Sequence, residues 1–243
     1  MRYANHLSDL LKTLAAFIAA QFFGYLLMCL LGGLFSGYWY NIVLNIVCTL
    51  GVNVAAFLLI CGKVQLPGKS KDFALWEFAA FFFGGVFLAC VAGLMAKLLP
   101  TRDIANAAAP NTDLIIYAVY TLVFAPIAEE IAFRGAALSR LKNSFGSYSA
   151  ALISAALFAA YHMSLAQFPY TFVLGFCLAI FAQRSGSLIA CIGLHALNNL
   201  LTLSTTLSDT VAMVTDIALP ILGTAGIVAI VLTKRYKLNN KTD

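Results

Sequence analysis

Apolar residues run in long segments along the whole chain, and polar residues are largely confined to short stretches between them. Eight candidate spans follow from that pattern: Leu14–Phe35, Ile42–Cys61, Ala74–Met95, Leu114–Leu141, Ser149–Ser164, Phe168–Ala182, Leu188–Leu203 and Val211–Leu232. Helices are expected for all eight, because backbone groups surrounded by lipid must pair within their own segment. The fifth to seventh runs are shorter than the ~20 residues that normally cross a bilayer. The longest connections, Gly62–Phe73 with Pro67 and Gly68 and Ala96–Asp113 with Pro100 and Pro110, are still short. No internal repeat or low-complexity tract interrupts the series, so residues 1–243 read as one integral membrane domain. The expected fold class is all-α, a polytopic bundle of about eight transmembrane helices.

Composition strengthens this reading. The 243 residues are 62% hydrophobic and 10% charged, against about 45–50% and about 25% in soluble globular chains. Mean hydropathy is +0.90. A soluble protein and a sizeable extramembrane domain are both excluded. The net charge of +5 resides in short clusters between apolar runs, which fits topology signals and not a nucleic-acid surface. With the N-terminus inside, every basic residue except Lys97, Arg102 and the intramembrane Arg134 falls in a cytoplasmic segment. The expectation is a multi-pass protein of the cytoplasmic membrane with both termini cytoplasmic. The first run follows Arg2 and Lys12 and exceeds a typical signal-peptide core, so it is read as a retained anchor. All six cysteines lie in apolar stretches without a C-x-x-C pair, which suggests neither a disulfide framework nor a zinc knuckle.

Ionisable residues at membrane depth cost about 2.5–3.5 kcal/mol each on insertion scales, so each needs a partner or a task. The fourth run concentrates them: Pro126-Ile127-Ala128-Glu129-Glu130-Ile131-Ala132-Phe133-Arg134-Gly135 places two carboxylates and a guanidinium on an otherwise apolar helix. Glu130 and Arg134, four residues apart, share a face and can pair. Glu129 points about 100° away and is left to face another helix as a candidate base. Pro126 withholds one backbone hydrogen bond and predicts a kink or opening beside the carboxylates. The bland alternative is an ion-pair knot that only holds helices together.

Two of the three histidines, His162 and His195, lie in later runs, and His6 is in the N-terminal tail. His195 and Asn199 share a helix face, and Phe158 stands one turn before His162, where it can pack on the ring. Measured from the presumed cytoplasmic ends, Glu129 lies about 16 Å deep, His162 about 22 Å, His195 about 12 Å and Asn199 about 18 Å. A base candidate, two imidazoles and an amide from three helices therefore gather at a similar level. Neither H-E-x-x-H nor G-x-S-x-G occurs.

The ordered set Glu129-Glu130-x-x-x-Arg134, Phe158-x-x-x-His162 and His195-x-x-x-Asn199 resembles the CPBP family of CAAX prenyl endopeptidases, bacteriocin-processing or immunity proteins and abortive-infection proteins. The resemblance includes the Pro-x-x-Glu-Glu lead-in and the Phe-Arg-Gly exit and covers a motif-bearing core, residues 114–203. It implies an eight-helix intramembrane bundle and a peptidase whose water is activated by Glu129 and His162. His195 and Asn199 would then stabilise the tetrahedral oxyanion, with Glu130 and Arg134 as charge-balanced support.

The favoured mechanism requires no cofactor. A divalent metal such as zinc remains an alternative, because Glu129, His162 and His195 could supply three N/O ligands. The expected partners are the lipid bilayer and a peptide or protein substrate, with oligomeric state open and no nucleic acid. Two other classes compete: a non-proteolytic membrane scaffold or bacteriocin-immunity protein that binds a partner through the same bundle, and a small-solute transporter, which the missing repeat disfavours.

Overall fold

The computed structural model describes residues 2–32, 51–62, 79–84, 87, 114–165, 167–207 and 221. Every regular element among them is helical. All of the eighth span but Ile221, most of the third and the first part of the second lie outside the described residues, so the span count rests on the sequence there.

Helix α1 (Arg2–Gly32) begins well before the apolar run that predicted it. Its polar first turns are held in the bundle: Asp9 Oδ1 pairs with Arg140 Nε at 3.1 Å, Ser144 Oγ donates to Asp9 Oδ2, and the His6 ring packs edge-on against Phe145. Helix α2 (Asn53–Cys61) is the end of the second span, and its last carbonyl, on Cys61, accepts from Arg140 Nη1 at 2.6 Å. Arg140 therefore ties together three segment ends that the basic residues assign to one side of the membrane.

From Leu114 to Tyr161 the chain is helical but not uniform. It passes through α3 (Leu114–Val119), a π-helical segment Tyr120–Phe124, α4 (Ala125–Glu129), a second π-helical segment Glu130–Ala137, and α5 (Leu138–Tyr161). The stretch Tyr117–Tyr161 is 45 residues long and apolar enough to cross a membrane, as is His6–Leu31. Forty-five residues of straight helix would reach about 68 Å, over twice the ~30 Å hydrocarbon core. Gly146 resolves the mismatch. At φ 75, ψ 175 it breaks the helix, a conformation that glycine adopts without the Cβ clash, and the chain folds back. Ser154 Oγ then reaches the Phe133 carbonyl at 3.3 Å, and the Phe158 ring meets the Phe133 ring edge-on with centroids 5.3 Å apart. The fourth and fifth spans are thus two arms of a hairpin.

Helix α5 ends earlier than its apolar run. His162 stands at its C-terminal cap, and Met163 takes φ 50, a left-handed conformation that stops the helix. The sequence expectation of His162 inside a span is corrected to His162 at a helix end. After the loop, α6 (Phe168–Ser185) starts with Pro169 in its first turn and stops at left-handed Gly186. Ser187 Oγ then accepts the Ala190 N–H at 3.2 Å and opens α7 (Leu188–Leu207), a serine cap in the usual manner.

The packing places α5 chiefly against α6, α1 against α2 and α5, and α7 across α6, α4 and both π-helical segments. One apolar core joins Leu138, Leu141, Leu174, Leu178, Phe181 and Cys191. A second joins Phe57, Phe133 and Phe158 to α1. Phe81 packs its ring on Phe181, so the Phe81-Phe82-Phe83 stretch lies against protein there.

Candidate active site

The second π-helical segment opens with Glu130 and includes Arg134, and both side chains are completely buried. Arg134 Nη1 donates to Glu130 Oε1 at 2.9 Å, the pair expected from their spacing. A guanidinium enclosed at this depth needs more than one partner. Its second amino group donates to the Gly175 carbonyl of α6 at 3.2 Å, and its Cζ lies 4.4 Å from the centre of the Phe158 ring. That face-on contact is the cation–π geometry.

Phe158 therefore does more than fill the core. Its ring takes the guanidinium on one side and meets the imidazoles of His162 and His195 edge-on, with centroids 4.9 and 5.7 Å apart. His162 Nδ1–H donates to the Phe158 carbonyl at 2.8 Å. That tautomer leaves Nε2 as an acceptor.

His195 is buried and lies between the two carboxylates. Its Nδ1–H donates to Glu130 Oε1 at 2.8 Å, and its Nε2 is 3.7 Å from Glu129 Oε2. Glu130 Oε1 thus receives both Arg134 and His195, whereas among the described residues Glu129 has only the longer approach to His195. The two neighbouring carboxylates differ as their 100° offset predicts: one is claimed by fixed donors and the other is left available. Among the described residues, Glu130 Oε2 and Arg134 Nε are buried without a hydrogen-bond partner.

Asn199, one turn beyond His195, donates from Nδ2 to the Thr121 carbonyl at 2.9 Å. It reaches the first π-helical segment, so one of its two N–H bonds is spent on backbone. Glu129, Glu130, Arg134, Phe158 and His195 form one connected cluster, with His162 joined to it through Phe158 and Asn199 through its helix. Among the described residues, no group of three His, Cys, Asp or Glu side chains is disposed to hold a metal ion.

Three participants were not singled out in the sequence. A Cβ on Gly175 would lie 2.9 Å from Phe158 Cδ1 and 3.2 Å from Ala155 Cα, so glycine lets α6 bring its carbonyl to Arg134. Its only sequence signal is a glycine within an apolar helix. Asn53, nearly buried on α2, donates from Nδ2 to the Tyr161 hydroxyl at 2.6 Å, and the Tyr161 ring meets that of His162. As a polar residue in an apolar run, Asn53 was detectable by the same rule that found the glutamates. Thr121 contributes through its carbonyl, which leaves no trace in a sequence.

No curated protein and no solved structure matches the chain. Residues 111–201, which supply every side chain of this cluster, match the model of the Rce1-like family, type II CAAX prenyl endopeptidases, in agreement with the resemblance that the three motifs carry.

Proposed function

We propose that the chain is an intramembrane endopeptidase in which Glu129 is the general base. The family match is to proteases, which supports peptide-bond hydrolysis. The observation that carries the residue assignment is the unequal treatment of the two glutamates: Glu130 Oε1 is held by Arg134 and His195, and Glu129 is left to take a proton.

In the proposed reaction, Glu129 removes a proton from water as the water oxygen attacks the scissile carbonyl carbon. The Nε2 lone pair of His162 accepts a hydrogen bond from the same water and helps to aim it. His195 Nε2, 3.7 Å from Glu129 Oε2, is placed to receive the proton while its Nδ1–H stays on Glu130. The imidazolium so formed donates from Nε2 to the developing oxyanion and is balanced by Glu130. When the C–N bond breaks, the leaving nitrogen takes the proton from His195 Nε2, and the acid product gives its hydroxyl proton to the freed amine and departs as the carboxylate.

Loss of the base by Glu129→Ala substitution tests this reading through the membrane peptidome, compared with wild type by mass spectrometry. Peptides that vanish and intact precursors that accumulate are expected. Indistinguishable peptidomes would contradict the assignment.

A further inference from the structure

We infer that the Asn199 carboxamide replaces the backbone N–H that Pro126 lacks, and that this bond fixes α7, and with it His195, against the carboxylate-bearing helix. At the end of the π-helical segment Tyr120–Phe124 the Ala125 N–H donates five residues back, to the Tyr120 carbonyl. Carried one residue further, that register would set the next nitrogen, that of Pro126, opposite the Thr121 carbonyl. Proline has no N–H to give, and a carbonyl left unpaired in an apolar interior is costly. The Thr121 carbonyl instead accepts Asn199 Nδ2 at 2.9 Å.

Asn199 is one turn from His195 on α7, and α7 packs across both π-helical segments. The bond therefore sets the position of α7 close to the contacts His195 makes with Glu129 and Glu130. Asn199 is on this account a positioning residue, acting through Thr121 and His195. This inference deepens the peptidase reading, and only its kinetic arm depends on that reading.

The two roles open to Asn199 respond differently to one substitution. Pro126→Ala restores an N–H to the backbone opposite Thr121. It should make a clamp dispensable, but it cannot replace a side chain that donates to substrate. Full-length wild type, Asn199→Ala, Pro126→Ala and the double variant are compared in lipid nanodiscs. The first readout is the imidazole ¹⁵N resonances, which are tractable because the chain has three histidines. The second is kcat and KM on a substrate identified from the peptidome.

Asn199→Ala alone should displace the His195 resonances, leave those of His6 in place and lower kcat roughly tenfold, the size of effect expected when a partly buried acceptor loses its donor. In the Pro126→Ala background the same change should leave His195 within the spectrum of Pro126→Ala and cost less than about twofold. Equal losses in both backgrounds, or His195 resonances unmoved by Asn199→Ala, would overturn the inference. If Asn199→Ala fails to accumulate, recovery of the double variant in membranes supports the clamp and failure to recover contradicts it. If wild type cleaves nothing, the peptidase reading fails while the imidazole spectra still decide this one.

Discussion

His195 Nδ1 and Arg134 Nη1 converge on a single oxygen, Glu130 Oε1, at 2.8 and 2.9 Å. Two donors from two helices thus hold one carboxylate with no exposure to solvent, and the Arg134 guanidinium supplies its countercharge. Removal of Arg134 should act first on stability.

Arg134→Ala is expected to lower accumulation in membranes together with any activity. Breaking a buried pair by deleting one partner costs about 3–5 kcal/mol. Arg134→Lys should recover only part of this, because an ammonium cannot at once serve Glu130, the Gly175 carbonyl and the Phe158 face as a planar guanidinium does. Protein level and thermal unfolding in detergent measure both variants. Wild-type stability of Arg134→Ala would remove the ion pair from the account.

Gly175→Ala should destabilise by about 1–3 kcal/mol, the usual cost of overpacking, since its Cβ would press on Phe158 and on the Ala155 backbone. Gly193, also in an apolar helix, has nothing within 4 Å of a Cβ, so Gly193→Ala serves as the neutral control. Equal thermal midpoints for the two variants would show that close approach at Gly175 is not required.

Much of this arrangement was legible where it depends on one helix. The Glu130–Arg134 pair and the offset of Glu129 follow from helical spacing, and Pro126 marked an irregularity that takes the form of a π-helical segment. Contacts between helices were not legible. Nothing in the order of the runs indicates that His195 meets Glu130, or that Phe158 binds the Arg134 guanidinium in addition to a histidine ring. The early start of α1 was missed because a hydropathy pattern sees apolar residues alone, whereas Asp9 earns its place through Arg140 and Ser144. His162 was placed inside a span for the converse reason: hydropathy continues past it, but the backbone turns at Met163.

Topology supplies a separate prediction. Reporters fused after Arg140, Arg184 and Lys237 should report cytoplasm, and one inserted near Arg102 should report the exterior. Arg140 lies beside Asp9 near the N-terminus and the Cys61 carbonyl, so these positions must share a side. An exterior signal after Arg140 with a cytoplasmic N-terminus would contradict both the charge pattern and this contact.

If His195 acts by proton transfer and hydrogen bonding, His195→Ala should cost on the order of 10²–10³ in kcat with KM largely kept, and a chelator should leave wild type active. Zinc bound stoichiometrically by wild type and lost in His195→Ala, with activity restored by added zinc, would instead require a metal mechanism.

The central claim is that Glu129 alone of the two glutamates is the base. Its most direct test is turnover by purified Glu129→Gln in nanodiscs, on a peptide substrate identified from the membrane peptidome. The amide keeps the shape of the side chain and cannot take the proton. The account predicts a protein that inserts, accumulates and unfolds as wild type does while cleaving no detectable substrate. Wild-type turnover by Glu129→Gln would contradict it.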